Sequence, residues 1–225
     1  MKKFFLVFLF SLLLDANAQA ILIDNGGGFV YDDDFNITWF YDANYAYTSG
    51  WDSDGRMTWD EANSFITTVN LGLISNFGYS GWRLPNTVQP DPHCSRFDMG
   101  SAGVNCRLSE MAHLFYSEIG GFPDSYVITD SERMTTAQAV LDSDLFNNFQ
   151  SWEYWSGTEF SDDTGKAWDF SFGAGGQQYP NTKDHHFFSL LVHDGEIAPV
   201  PEPGTIILLG TGLAGLIALG RKLTA

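Results

Sequence analysis

The sequence predicts an α+β domain with two helices and a mostly antiparallel sheet. Three observations carry this. Two stretches in the first half repeat their apolar residues at helical spacing, the last third returns to strands with period-2 alternation, and short runs of β-branched and aromatic residues at the start are joined by glycines. In chain order, Ile21-Leu22-Ile23 and Phe29-Val30-Tyr31 flank Asp24-Asn25-Gly26-Gly27-Gly28, which reads as a hairpin because glycine tolerates positive φ. This glycine run is no phosphate loop, since Asp32-Asp33-Asp34 stands where a helix N-terminus would be needed. Asn36 to Tyr41 is rich in aromatic and β-branched residues and reads as a buried strand. Thr58-Trp59-Asp60-Glu61 opens the first helix with a capping box, and Trp59, Ala62, Phe65, Ile66 and Val69 share one face. Gly81 to Pro85 is a short strand stopped by proline. A second helix runs from about Ser109 to Ile119, with Met111, Leu114, Phe115 and Ile119 at helical spacing and Gly120-Gly121 closing it. Strands follow at Tyr154 to Thr158, Lys166 to Phe172 and His186 to His193. In the middle one Trp168, Phe170 and Phe172 alternate with Ala167, Asp169 and Ser171, the mark of a half-buried strand.

Composition limits what such a domain can do. Of 225 residues, 44% are hydrophobic and 16% aromatic, enough for a folded body rather than a disordered acidic tail. Eleven basic residues against 28 acidic ones give a net charge of −17. A nucleic-acid backbone or an anionic lipid surface repels such a chain.

The two ends are targeting segments. Met1-Lys2-Lys3, the apolar run Phe4 to Leu14 and the small residues Ala16-Asn17-Ala18 or Ala18-Gln19-Ala20 form a secretory signal peptide, residues 1–20. At the other end Val200-Pro201-Glu202-Pro203-Gly204 precedes an apolar stretch, Thr205 to Gly220, and then Arg221-Lys222. The prolines hold an extended backbone, and the stretch is about 25 Å long as a helix, at the short limit for a membrane span whose basic tip stays cytoplasmic. Residues 200–225 thus resemble the PEP-CTERM sorting signal of Gram-negative bacteria. The resemblance implies recognition of Pro201, Glu202 and Pro203 by an exosortase-type membrane protease, a transient stay in the inner membrane, and delivery to the cell surface or extracellular matrix. Between the ends lies a body, residues 21–199. Removing the ends leaves 7 basic and 26 acidic residues, so the body is more acidic than the whole chain, at −19.

Four phrases within the body carry a second resemblance: Met57-Thr58-Trp59-x-x-Ala62, Gly81-Trp82-Arg83-Leu84-Pro85, Ser109-Glu110-Met111-x-His113-Leu114-Phe115-Tyr116 and Tyr154-Trp155-Ser156-Gly157-Thr158-Glu159. In this order they resemble the Lcl C-terminal domain family, over about residues 30 to 194. The resemblance implies a C-type-lectin-like fold.

Candidate site residues fall into five sets. Cys94 and Cys106 are the only cysteines, and an exported chain meets an oxidising compartment, so a disulfide is expected. It closes a loop of about 13 residues, worth roughly 3 kcal/mol in the chain-entropy model, and pins Pro90 to Pro92 against the second helix. Asp52, Asp54, Thr58 and Glu61 fall at calcium-loop spacing, but Gly50 stands where the first Asp belongs, and a turn followed by a capped helix explains the same residues. Asp32 to Asp34 is another oxygen-rich segment that reads equally well as solvated edge charge. His185, His186 and His193 read as surface histidines. Tyr41, Tyr45, Tyr47, Trp51, Trp152 and Tyr179 lie near loops and are the ring candidates for a sugar, because aromatic faces stack on apolar sugar faces while amides and carboxylates meet hydroxyls.

The function expected from these readings is non-enzymatic association with extracellular polysaccharide, as in adhesion or a biofilm matrix. The acidic body favours neutral sugars over polyanions unless calcium bridges them. The alternatives are an exported enzyme acting on matrix glycans and a structural surface protein without a small ligand. No Ser-His-Asp order or zinc-protease helix is present.

Overall fold

The computed structural model describes residues 22–96, 101–119, 145–173 and 176–198. The expected signal peptide and the sorting segment, with its expected span, lie outside them. Among the described residues no helix is long and apolar enough to cross a membrane.

The described residues build two five-stranded antiparallel sheets and three helices, a mixed and mostly β architecture. The expected glycine hairpin joins β1 (Leu22–Asp24) to β2 (Phe29–Asp32), with Gly26, Gly27 and Gly28 all at positive φ. β2 pairs with β3 (Ile37–Phe40). A short helix, α1 (Tyr45–Thr48), was not legible as an element of its own. The capped helix α2 (Trp59–Asn70) buries Ala62, Phe65, Ile66 and Val69, the face its spacing predicts. β4 (Trp82–Arg83) is the short strand before Pro85. The next strands, β5 (Ser95–Arg96) and β6 (Gly103–Val104), belong to the second sheet.

The second predicted helix exists but changes character partway. It starts as α3 (Glu110–His113) and widens into a π-helical turn, Leu114–Glu118, closed by a 2.9 Å bond from the Ile119 amide to the Leu114 carbonyl. The remaining strands are β7 (Glu153–Glu159), β8 (Lys166–Ser171), β9 (Gln177–Thr182) and β10 (Val192–Asp194). The first sheet runs β1-β2-β3-β10-β4 and the second β5-β6-β9-β8-β7.

Two expectations are corrected here, and one strand was missed. The strand expected over His186 to His193 is regular only at Val192–Asp194; before it, Phe187 and Phe188 make single bridges to Met57 and Tyr154. β8 is not half-buried: five of its six residues are buried, because its polar alternates Asp169 and Ser171 are also covered. β9 escaped notice because Pro180 breaks its donor pattern. It is tolerated since β9 pairs with β8 along its length but meets β6 only at Gln178, leaving the Pro180 side without a ladder to donate to.

Alternation along β2 and β3 divides the interior in two. Val30 and Trp39 point into a core with Leu114, Phe115, Tyr154, Phe170 and Phe172. Their neighbours Phe29 and Phe40 point into another with Met57, Phe65, Trp82, Trp155 and Phe187. The first sheet is therefore apolar on both faces, like a strand layer covered on two sides. Arg83 ties β4 to α3 and β10: its guanidinium donates to both carboxylate oxygens of Glu110, at 2.7 and 2.8 Å, and to Asp194 at 2.6 Å.

Candidate functional site

The glycine hairpin positions one wall of a cleft of about 280 Å³, lined by Asp24, Gly26 to Val30, Tyr41, Phe77 and Leu145. The Asp24 carboxylate accepts the Gly26 amide at 2.8 Å, which folds the turn back on itself. Gly28 sits at φ +90°, and a Cβ there would come within 2.5 Å of the Tyr41 ring. The residue must be glycine for that ring to lie against the turn. Tyr41 meets Phe40 edge-on at 5.1 Å, and Phe40 in turn lies 4.6 Å from Phe77.

Phe77 is the unusual member. It adopts φ +55°, a region that costs a bulky side chain energy, yet it stays 39% exposed at the cleft. Contacts with Phe29, Phe40 and Tyr45 hold it there. Strained backbone that presents a ring to solvent is characteristic of binding sites. Its signal in the sequence is faint: only the Asn76-Phe77-Gly78 turn hints that an aromatic sits on a tight bend.

Of the six predicted ring residues, the structure brings only Tyr41 and Tyr45 to this region. Tyr45 is not a surface ring. It is 8% exposed, packed on Phe40 and Phe65, and its hydroxyl donates to the Ser75 carbonyl at 2.9 Å. Burial pushes its phenol pKa up. The reason for this correction is that Tyr45 begins α1, whose inner face covers the core. Tyr47 and Trp152 are surface rings, at 54% and 51% exposure, outside the cleft lining. Trp51 is half-buried against Phe65. Tyr179 stands on β9 opposite Asp169 of β8.

The predicted calcium loop forms the turn and the cap instead of a gathered ligand set. Asp52 accepts the amides of Asp54 and Gly55 at 2.9 and 2.7 Å. Asp54 accepts the Arg56 amide and guanidinium, which together hold its carboxyl below the usual range. Glu61 accepts the Thr58 amide at 2.9 Å while Thr58 accepts the Glu61 amide, a complete capping box that likewise lowers the Glu61 carboxyl. Asp52, Asp54 and Glu61 do not bring three carboxylate oxygens within 4.8 Å of one another.

Cys94 and Cys106 form the expected disulfide. The segment around it is pinned as anticipated: Asp91 accepts the Leu108 amide at 3.0 Å, and the Ser109 hydroxyl, at the start of α3, accepts the Val88 amide at 3.0 Å. A second, more open groove of about 450 Å³ is lined by Thr58, Asp60, Gly165, Thr182, Lys183 and Asp184. It offers no free aromatic face, because Lys183 lies over the Trp59 ring, 4.1 Å from its centre. His185 and His186 are exposed beside this region, while His193 faces the Ser80 carbonyl at 3.1 Å.

The two sheets and the aromatic cleft thus define an α+β domain with a shallow, ring-floored site. Residues 199–222 match the PEP-CTERM protein-sorting motif. A motif of this kind marks a chain for export and for cell-surface sorting by exosortase, a membrane protease. Neither the curated proteins nor the solved structures contain a match to the chain.

Proposed function

We propose that this is a non-enzymatic surface domain of C-type-lectin-like fold that associates with neutral extracellular polysaccharide through the Tyr41 and Phe77 cleft. The observation that carries the reading is Phe77, an aromatic ring kept at the cleft mouth on a strained backbone, beside the Tyr41 ring and the Asp24 carboxylate. Rings to cover the apolar face of a sugar and an acceptor for its hydroxyls are the minimum a saccharide site needs. The sorting motif supports it by sending the body to where such polymers lie. Tyr47 and Trp152 are secondary contacts in this reading, suited to a long polymer that runs beyond the cleft. The buried carboxyl Asp169 lines neither concavity, so it supplies no acid for glycan cleavage there.

The test is a glycan array with the secreted protein. Binding to one or more neutral glycans is expected. Phe77→Ala should weaken it by about three- to tenfold, the worth of one aromatic contact. Absence of binding across neutral and charged glycans would favour a structural coat protein, and turnover of a bound glycan would favour the enzyme.

A further inference from the structure

The aspartate segment at the end of β2 does not point only into solvent. Asp32 is 1% exposed and sits beside His113, the last residue of α3. From the His113 Nε2 atom, Glu118 Oε1 is 3.2 Å away, Asp32 Oδ1 3.8 Å and Asp34 Oδ2 3.8 Å. The side chains of His113 and Glu118 are 8% and 2% exposed. Yet His113 Nε2 and Glu118 Oε1 each lack a hydrogen-bond partner despite facing one another. Two orphaned buried polar atoms aimed into one space are costly unless something else fills their coordination.

The π-helical turn explains how they meet. Five residues apart on an α-helix, His113 and Glu118 would lie about 140° apart around the axis, on different faces. The wider turn, with its Ile119 to Leu114 bond, returns residue i+5 to the side of residue i. A helix accepts this irregularity where a local task requires it, and such turns are frequent at functional sites. Phe35 packs against the imidazole with ring centres 4.1 Å apart and planes tilted by 33°.

We propose that Asp32, His113 and Glu118, whose donor atoms all lie within 4.8 Å of one another, form a binding site for a divalent transition-metal ion of the zinc class, with Asp34 outside that set at its solvent side. One imidazole nitrogen with carboxylate oxygens is a donor set for zinc, and ligands bound at about 2.05 Å in a tetrahedron stand roughly 3.3 Å apart. The 3.2 and 3.8 Å separations bracket that spacing. Charge points the same way: three carboxylates surround a single imidazole, and among the described residues no Arg or Lys pairs with any of them. A protonated histidine offsets one of those charges, whereas a divalent ion offsets two and satisfies both orphaned atoms. Asp34, 53% exposed, provides the entry path. With three gathered donors, the ion would clip the β2–β3 turn to the end of α3, its remaining position facing the exposed Asp34.

Equilibrium dialysis of the mature secreted protein against Zn²⁺, after chelator treatment, tests this. One tightly held ion per chain is expected, with a raised melting temperature. Asp34→Asn, at an exposed position that leaves the core intact, and Glu118→Gln should each weaken binding by more than about tenfold, the least that altered metal shells cost. Should Glu118→Gln not fold, Asp34→Asn decides alone. The proposal is overturned if the wild-type protein holds no stoichiometric zinc, if it prefers calcium, or if Asp34→Asn binds as well as wild type, which would assign the ion to exposed histidines such as His93 and His185.

Discussion

At the scale of single residues, Asp169 shows how far burial can override a polar label. Its carboxylate lies inside β8, accepts the Asn181 amide at 2.7 Å, and has its pKa raised well above the usual range, chiefly by desolvation and further by nearby Glu153. A carboxyl whose folded pKa is raised holds its proton in the folded state after the unfolded chain has lost it. Stability therefore falls as pH rises from the ordinary carboxylate range up to that folded pKa, and the penalty persists above it. Asp169→Asn should remove this slope. Melting temperature against pH would then be flatter for the variant, and at neutral pH the variant should melt no lower than the parent, since the asparagine carbonyl oxygen can still accept from Asn181. A variant curve parallel to the parent would mean that Asp169 is not the group responsible. Phe77 is the converse case, a hydrophobic residue kept outside and on a strained backbone, and only its turn context announced it.

Among the elements, α2 was the most legible because its signal is local. Period, cap and charge all agree over Thr58 to Asn70, and the structure forms each of them. Thr58→Ala should cost about 1 kcal/mol in urea denaturation, whereas Glu61→Gln should cost only a few tenths, since glutamine also fills the N3 position of a capping box. Because Glu61 has its carboxyl pKa lowered in the folded protein, its contribution is present at neutral pH and lost as pH falls through that lowered value. Because Asp52, Asp54 and Glu61 do not gather their carboxylate oxygens, millimolar calcium should leave the melting temperature unchanged. A rise that depends on Asp54 would restore the calcium reading. The second helix was legible in position but not in kind, since apolar spacing alone cannot distinguish an α-turn from a π-turn. β5, β6 and β9 were missed because two of them are only two residues long and the third contains a proline; their pairing is imposed by the rest of the sheet.

At the scale of the whole molecule, the C-terminal sorting motif was the clearest part of the sequence, because such a signal is read as a linear string by another protein and needs no fold. Replacing Pro201-Glu202-Pro203 with alanines should leave an uncleaved, membrane-retained form, visible on fractionation as a larger band; normal release would contradict sorting through this motif. The fold was legible as α+β, but not as two separate sheets, since the assignment of strands to sheets depends on contacts far apart in sequence. The cleft was half legible, through Tyr41. Of the cluster Asp32, His113 and Glu118, only the Asp32 to Asp34 run was legible, since Glu118 comes to the side of His113 only through the π-turn. The placement of β10 carries a consequence of its own. This strand, Val192–Asp194, is wedged between β3 and β4 in the first sheet, and just beyond it Ile197 is held by Asn25 and by Thr38. If export threads the chain from its N-terminus, as the expected signal peptide implies, the first hairpin waits unsealed until nearly the whole body has crossed. The last strand to arrive would then work as a keystone, and since the sorting motif begins only a few residues beyond it, the completion of folding and the presentation of the cleavage signal would become almost a single event in time.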